Sequence, residues 1–282
     1  MVAELEQISR ANGRGFTAEY ITDTSGLWHF HPEYELVLNI KSNGTRIIGD
    51  SVELFDQYDM VLISGSIPHS WNYYKRDKNL PEKHGIMMHF RESSFGNEFL
   101  SRHEMREVKN LLKQAERGIC FSEVDARKAE IHLVRMVSDT GINKMIDLFN
   151  ILSILCNTEK RVFLCSENYK QAYDEKGNKK MAEIYTYIRE NYFKPVSLEQ
   201  ISKATGMSLF SFSRYFKKNS GAGFVEYLNR VRTNKACYLL RETDYQIHDI
   251  AVECGFVSIS NFNKQFRKTE GISPRDYRAQ YK

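Results

Sequence analysis

The chain has 282 residues, 41% of them hydrophobic and 27% charged, with a formal net charge of +4. That length admits two domains, and the composition is that of an ordinary globular protein rather than a collagen-like, mucin-like or low-complexity chain. The opening MVAELEQISR has no basic stretch ahead of an apolar run, and nowhere do about 18 apolar residues stand together. Neither a secretory leader nor a membrane span is therefore expected, and the expected compartment is the cytoplasm. Cys120, Cys156, Cys165, Cys237 and Cys254 are odd in number and include no CxxC pair, which suits reduced thiols better than disulfides or a zinc site.

From Glu35 onward the chain reads as short strands: ELVLNI, a Ser-Asn-Gly turn at Ser42 to Gly44, then TRIIG, SVELF and MVLIS. Apolar and β-branched runs with hairpin punctuation predict an antiparallel barrel or sandwich over about residues 15–95. Past Phe99 the period becomes helical in REVKNLLKQAERG and INKMIDLFNILSILCN. Apolar residues cover more than one face of the second helix, so it should lie between the barrel and another surface, for which a second copy of the chain is the expected partner. The polar, turn-rich stretch SENYKQAYDEKGNKK, residues 166–180, is the expected linker between residues 1–165 and 181–282.

Beyond the linker all segments read as helix, and charge and sequence both set this part apart. Residues 179–282 hold 18 Lys and Arg against 10 Asp and Glu, a balance of +8, while the rest of the chain is at −4. Positive charge is thus gathered where a phosphate backbone would be met. An internal repeat is also present. Residues 198–221 lie over 247–271, matching Ile201 with Ile250, Gly206 with Gly255, Phe212 with Phe262, Phe216 with Phe266 and Gly221 with Gly271, with one extra residue in the second turn. Each copy predicts a short helix, a glycine turn and a second helix whose phenylalanines, four apart, face inward. The outer face then carries Leu209, Phe210, Ser213, Arg214 and Lys217 in the first copy and Ile259, Ser260, Asn263, Lys264 and Arg267 in the second, with Lys218 and Lys268 further along, where phosphate would be approached. Donors, acceptors and cations on one exposed face are what base and phosphate contacts require. The uninterrupted helix between the copies, residues 223–242, would be about 30 Å long, close to the roughly 34 Å between successive major-groove faces on one side of B-DNA.

Gly255-Phe256, Asn261-Phe262, Phe266-Arg267-Lys268, Gly271, Ser273-Pro274 and Tyr277-Arg278 resemble the C-terminal signature of AraC/XylS transcriptional regulators. The resemblance covers the last hundred residues as a double helix-turn-helix domain. It implies sequence-specific binding to double-stranded promoter DNA, with Phe210, Ser213, Arg214, Ser260, Asn261, Asn263 and Lys264 matching the base-reading face. In the first copy, Phe210 stands where the family often has other residues.

In the first half, GLWHFHPEYELVLNI contains His29-x-His31-x3-Glu35, and His69 follows in GSIPHSW. On a strand, positions 29, 31 and 35 share parity and point to one face. Three histidines and a carboxylate could bind a divalent metal, hydrogen-bond a small ligand, or serve as barrel structure. The pattern resembles cupins, and in particular the cupin sensor domains of AraC-type regulators, although the glycine usual three residues before the second-motif His is missing. The expected site is a ligand pocket of His29, His31, Glu35, His69 and Trp71, with no resident metal or other cofactor. Trp28, Tyr73 and Tyr74 serve core and rim packing or stack on a sugar face. His84, His89, His103, His132 and His248 form no close cluster in the sequence and are read as structural or exposed.

The expected fold is α+β and multidomain: an N-terminal cupin-like β-barrel (jelly roll), a helical dimerisation segment over about 99–160, and a C-terminal all-α double helix-turn-helix. The expected function is a non-enzymatic, ligand-responsive transcription regulator. Its expected partners are promoter DNA, a sugar-like or other small-molecule effector, a second copy of itself and RNA polymerase, with no membrane. The competing expectation is a cupin metalloenzyme, an isomerase or dioxygenase, fused to a DNA-binding module.

Overall fold

The computed structural model describes residues 15–22, 28–65, 67–74, 83–96, 98–167, 169 and 175–281. Its strands are β1 (Phe16–Ile21), β2 (Tyr34–Asn39), β3 (Gly44–Ile48), β4 (Ser51–Phe55), β5 (Asp59–Ile63), β6 (His69–Tyr73), β7 (Gly85–Phe90), β8 (Ile119–Phe121) and β9 (Val162–Phe163). They form a six-stranded sheet in the order β1-β7-β2-β5-β8-β9 and a three-stranded sheet in the order β4-β3-β6. The strands expected from ELVLNI, TRIIG, SVELF and MVLIS are β2 to β5. Strands β1 and β6 to β9 are additions, although FTAEYI and HSWNY each alternate larger side chains with polar ones at the period of a strand.

Strand β2 sits inside the large sheet, antiparallel to both β5 and β7, with Leu36 opposite Leu62 and Met88. That register puts Leu36, Leu38, Met60, Leu62, Ile86 and Met88 on one face, where helices cover them. These helices are α1 (Arg106–Gln114), α2 (Glu123–Ser138) and α3 (Gly141–Cys156). Ser122 caps α2 by accepting from the Asp125 amide. Leu148, Ile151, Leu152 and Leu155 of α3 are fully buried in this core. The opposite face of β2 carries Glu35, level with His89 of β7. One strand thus supplies oil to one side and a carboxylate to the other, as its alternation requires.

The helical part comprises α4 (Glu175–Asn191), α5 (Leu198–Ala204), α6 (Leu209–Ser220), α7 (Phe224–Glu242), α8 (Ile247–Glu253), α9 (Ile259–Glu270) and α10 (Pro274–Tyr281). Of the expected linker 166–180, positions 168 and 170–174 lie outside the described residues, and α4 begins within it at Glu175. Serines start α5, α6, α9 and α10: Ser197 forms a capping box with Gln200, and Ser208, Ser258 and Ser273 accept from the amides three residues on. By internal contacts the chain falls into two compact units. One runs up to Gly44 and continues over Phe55–Tyr173, and the other joins Thr45–Leu54 to Asp174–Lys282. Among the described residues no helix is long and apolar enough to cross a membrane.

Candidate nucleic-acid interface and buried polar cluster

The two repeats close their turns with the same backbone bonds. Gly206 N donates to Lys203 O and Met207 N to Ser202 O; Gly255 N donates to Val252 O and Phe256 N to Ala251 O. These are the paired bonds of a helix end that needs a left-handed residue, and Gly206 and Gly255 supply it at φ of 66° and 83°. Gly255 is fixed a second way: a Cβ there would lie 2.3 Å from Tyr192 O. That carbonyl accepts from Arg232 Nε at 2.8 Å, while Arg232 Nη2 donates to Lys194 O at 2.7 Å. The buried guanidinium of α7 therefore ties the end of α4 to the second turn.

Each repeat has its own aromatic core. Phe212 and Phe216 pack on Phe224, and Phe216 also packs on Tyr227; Phe262 and Phe266 pack on Phe256 and Tyr277. With the i and i+4 phenylalanines fully buried, the other faces of α6 and α9 turn outward. Phe210, Arg214, Lys217 and Lys218 are exposed on α6, with Ser213 half-buried; Ser260, Asn261, Asn263, Lys264, Arg267 and Lys268 are exposed on α9. Asn261 Oδ1 accepts from Gln265 Nε2 at 3.4 Å.

Around α9 the surface is concave. A groove of about 1070 Å³ is lined by Asn263, Lys264, Arg267 and Lys268 together with His248, Arg275 and Arg278. Arg278 is anchored by donation to Tyr245 O at 2.7 Å. Arg275 and His248 were not singled out from the sequence. The signal for Arg275 was the continuation of the repeat: Gly271 to Tyr277 runs parallel to Gly221 to Tyr227, which puts Arg275 where the first copy has Val225.

In the first half, the structure brings His29, His31, Glu35 and His69 together, with one ligand atom of each within 4.8 Å of the others. Glu35 Oε2 lies 3.0 Å from His31 Nε2 and 2.9 Å from His69 Nε2. His29 and His69 are bridged through their backbones, which positions β6 over the cluster. Trp71 is buried with its ring edge-on to His69 at 5.6 Å. Trp28 is also buried, Tyr74 is half-buried, and Tyr73 donates to Asn39 Oδ1 at 3.1 Å.

His89, expected to be structural or exposed and outside any cluster, instead joins this one: it is buried on β7 with Nε2 3.7 Å from Glu35 Oε1. Its distance along the chain concealed it, and only the β2–β7 register reveals the pairing. Burial pushes His89 down to about 4, only partly opposed by Glu35. Burial alone would raise Glu35, but the charges and hydrogen bonds of His69 and His31 hold it well below the ordinary carboxylate range. His69 Nδ1 lies 2.7 Å from Ile67 O and so carries a proton, which leaves Nε2 facing the carboxylate. A proton or a cation must lie between them, since a bare nitrogen lone pair would be repelled. Three imidazoles and a carboxylate are thus a donor set that fits a divalent ion, and equally one that can bind a polar ligand.

Residues 201–280 match the helix-turn-helix domain family described as "Helix-turn-helix domain". Among curated relatives, the chain is 38% identical over 98 residues to the uncharacterized HTH-type transcriptional regulator YijO of Escherichia coli (strain K12), covering 35% of each chain. It is 33% identical over 104 residues to the HTH-type transcriptional activator RhaS of Enterobacter sp. (strain 638), covering 37% of each. A solved transcriptional regulator from Chromobacterium violaceum, described as an AraC-type DNA-binding domain-containing protein, is 30% identical; the match covers 38% of this chain and 96% of that one at a TM-score of 0.35. The matched region spans little more than a third of the relatives' length. The fold and surface of residues 181–281 define a double helix-turn-helix. This C-terminal region is a DNA-binding domain of the AraC type, and the relatives it matches are transcriptional regulators.

Proposed function

We propose that the chain is a ligand-responsive, sequence-specific regulator of transcription, in which residues 181–282 bind promoter DNA and residues 1–165 sense a small molecule and pair two copies. The observation that carries this reading is the repeated unit: α6 and α9 are each pinned by two buried phenylalanines and present hydrogen-bonding and basic groups outward. Helix α7, with 19 residues, spans about 28 Å between them. That length suits two recognition helices in successive major-groove segments. Phe210, Ser213, Arg214, Ser260, Asn261, Asn263 and Lys264 are assigned to the bases, and Lys217, Lys218, Arg267 and Lys268 to phosphates. Arg275 joins the phosphate set because it shares the groove with Lys268.

In the first half, the two sheets are read as a cupin-like jelly roll around the polar cluster. His29, His31, Glu35, His69 and Trp71 form the effector site, to which His89 is added. A sugar or similar polyol suits it, since buried imidazoles and a carboxylate hydrogen-bond hydroxyls while an indole packs against a ring. Effector and DNA are coupled by a population shift, which requires unequal effector affinity for the two states. No resident metal is assigned: the four side chains that could hold a divalent ion are read as the polar wall of the effector site. Purified protein should hold far less than one transition metal per chain and keep its fold in chelator. Elemental analysis near one tightly held ion per chain would favour the enzymatic alternative.

Paired copies are supported by exposed apolar side chains, Val124, Ile131 and Val134 on α2 with Ile142 and Ile146 on α3. RNA polymerase is the further partner expected of a promoter-bound regulator. The deciding experiment is selection of duplex sequences from a random pool by the full chain, followed by titration of the winner and a scrambled duplex. A specific-to-nonspecific ratio near unity at every salt concentration would refute the reading.

A further inference from the structure

The two recognition helices differ at one telling position. Phe210 stands in the first turn of α6, two residues after its Ser208 cap, and is 75% exposed. Phe212 and Phe216, on the same helix, are at 0%. The equivalent of Phe210 on α9 is Ser260. The ring is therefore no part of the domain's core. Its neighbour Leu209 is 43% exposed as well, while the counterpart on α9, Ile259, is half-buried, so the leading end of α6 exposes two apolar side chains where α9 pairs its isoleucine with the polar Ser260. Arg214 follows Phe210 by four residues, one turn along the same face. A helix that enters the major groove does so with its N-terminal residues against the base edges. Of the groups displayed there, only the C5-methyl of thymine is apolar; the others are hydrogen-bond donors and acceptors. A ring at the leading end gains nothing from a donor or an acceptor, but it does gain from burying a methyl.

Resting on the DNA-binding reading above, we propose that Phe210 selects thymine by packing on its methyl group in the half-site entered by α6. The first repeat thus reads its site partly through an apolar contact, where the second reads through the hydrogen bonds of Ser260, Asn261 and Asn263.

The test uses the full chain and its selected operator, with the α6 half-site identified as the base pairs whose preference Arg214→Ala relaxes. Replacing the thymines of that half-site by deoxyuridine removes the methyl groups and nothing else. Wild type should lose about three- to fivefold in affinity, the worth of one methyl withdrawn from an apolar contact. Phe210→Ser, which installs the residue of the other repeat at an exposed position and so leaves the fold intact, should bind thymine and deoxyuridine operators alike. Wild type binding both operators equally would overturn the proposal, as would a selected α6 half-site without thymine. Phe210→Ser with unchanged DNA affinity would also overturn it and assign the ring to a protein partner. If no sequence is selected at all, the DNA-binding reading falls, and this one with it.

Discussion

Glu35 is approached by three histidines in a site closed to water, so the cluster should make the first half sensitive to acid. His89 is buried and neutral, its proton affinity lowered from 6.5 to about 4. A group whose folded value is depressed binds its proton more readily in the unfolded chain. Stability is therefore full above 6.5 and is lost as pH falls from there towards 4, on the order of 3 kcal/mol for a shift of this size. Glu35 adds to the loss at lower pH, because its value is also below the ordinary one. The two tryptophans of the chain, Trp28 and Trp71, are both buried in the first half, Trp71 against His69, so their fluorescence reports on that half alone. Urea midpoints followed by tryptophan emission should fall between pH 7 and pH 5, and His89→Leu should flatten the slope. A midpoint constant across that range would refute the assignment. On α6 and α9 the residue scale separates reading from anchoring. Arg214→Ala should cost about 1–3 kcal/mol and relax preference at a few base pairs, whereas Lys268→Ala and Arg275→Gln should weaken all sequences alike and lower the salt slope by about one each. The check is titration of each variant on operator and scrambled duplex over a salt series.

At the scale of elements, α3 shows where periodicity was informative and where it misled. Its several apolar faces correctly announced a helix packed on more than one side. The second side, though, is partly this chain itself: Leu152 is buried in the core, and Phe149 packs on Phe95 and Phe99. A charge at Phe149 or Leu152 should therefore unfold the domain rather than separate two copies. Ile131→Glu and Ile146→Glu, at positions 56% and 51% exposed, are the substitutions that should turn dimers into monomers while helical content stays unchanged. Sedimentation showing wild type as a monomer at micromolar concentration would dispose of the pairing. Helix α2 falls within the helical stretch expected over about 99–160 but has no outline of its own in the sequence, because EVDARKAEIHLVRMVS buries alanines and spaces its larger apolar residues among charges. The repeat, in contrast, was legible almost residue by residue, because a glycine turn and two phenylalanines at fixed spacing leave few alternatives. His89 was not legible, since sheet register is set by pairings remote in sequence.

At the scale of the whole molecule, charge changes sign close to where the secondary structure turns all-helical. The basic third of the sequence is the part that folds into two helix-turn-helix units, while the acidic remainder forms the sheets and α1 to α3. A sensor must be specific without being sticky, and a net negative first half keeps that part away from phosphate. If a sugar-like effector enters the polar cluster, it should raise the melting temperature by mass action in a thermal-shift screen. The same compound should lose its effect in Glu35→Gln. A shift that survives this substitution would put the effector elsewhere.

Helix α7 behaves as a ruler that is also a dial. Its first end is built into the aromatic core of the first repeat through Phe224 and Tyr227, its far end buries Cys237 beside Tyr277 of the second, and Arg232 fastens its middle to the end of α4. One inserted residue would advance the second repeat by only about 1.5 Å but rotate it by about 100°. On DNA that angle corresponds to roughly three base pairs of twist, which separate sites by about 10 Å. No respacing of the operator can satisfy both changes at once. Drift in operator sequence can be followed by substitutions on α6 and α9, but drift in half-site spacing cannot be followed by lengthening α7, so the gap between half-sites is the part of the regulatory code that the fold itself holds constant.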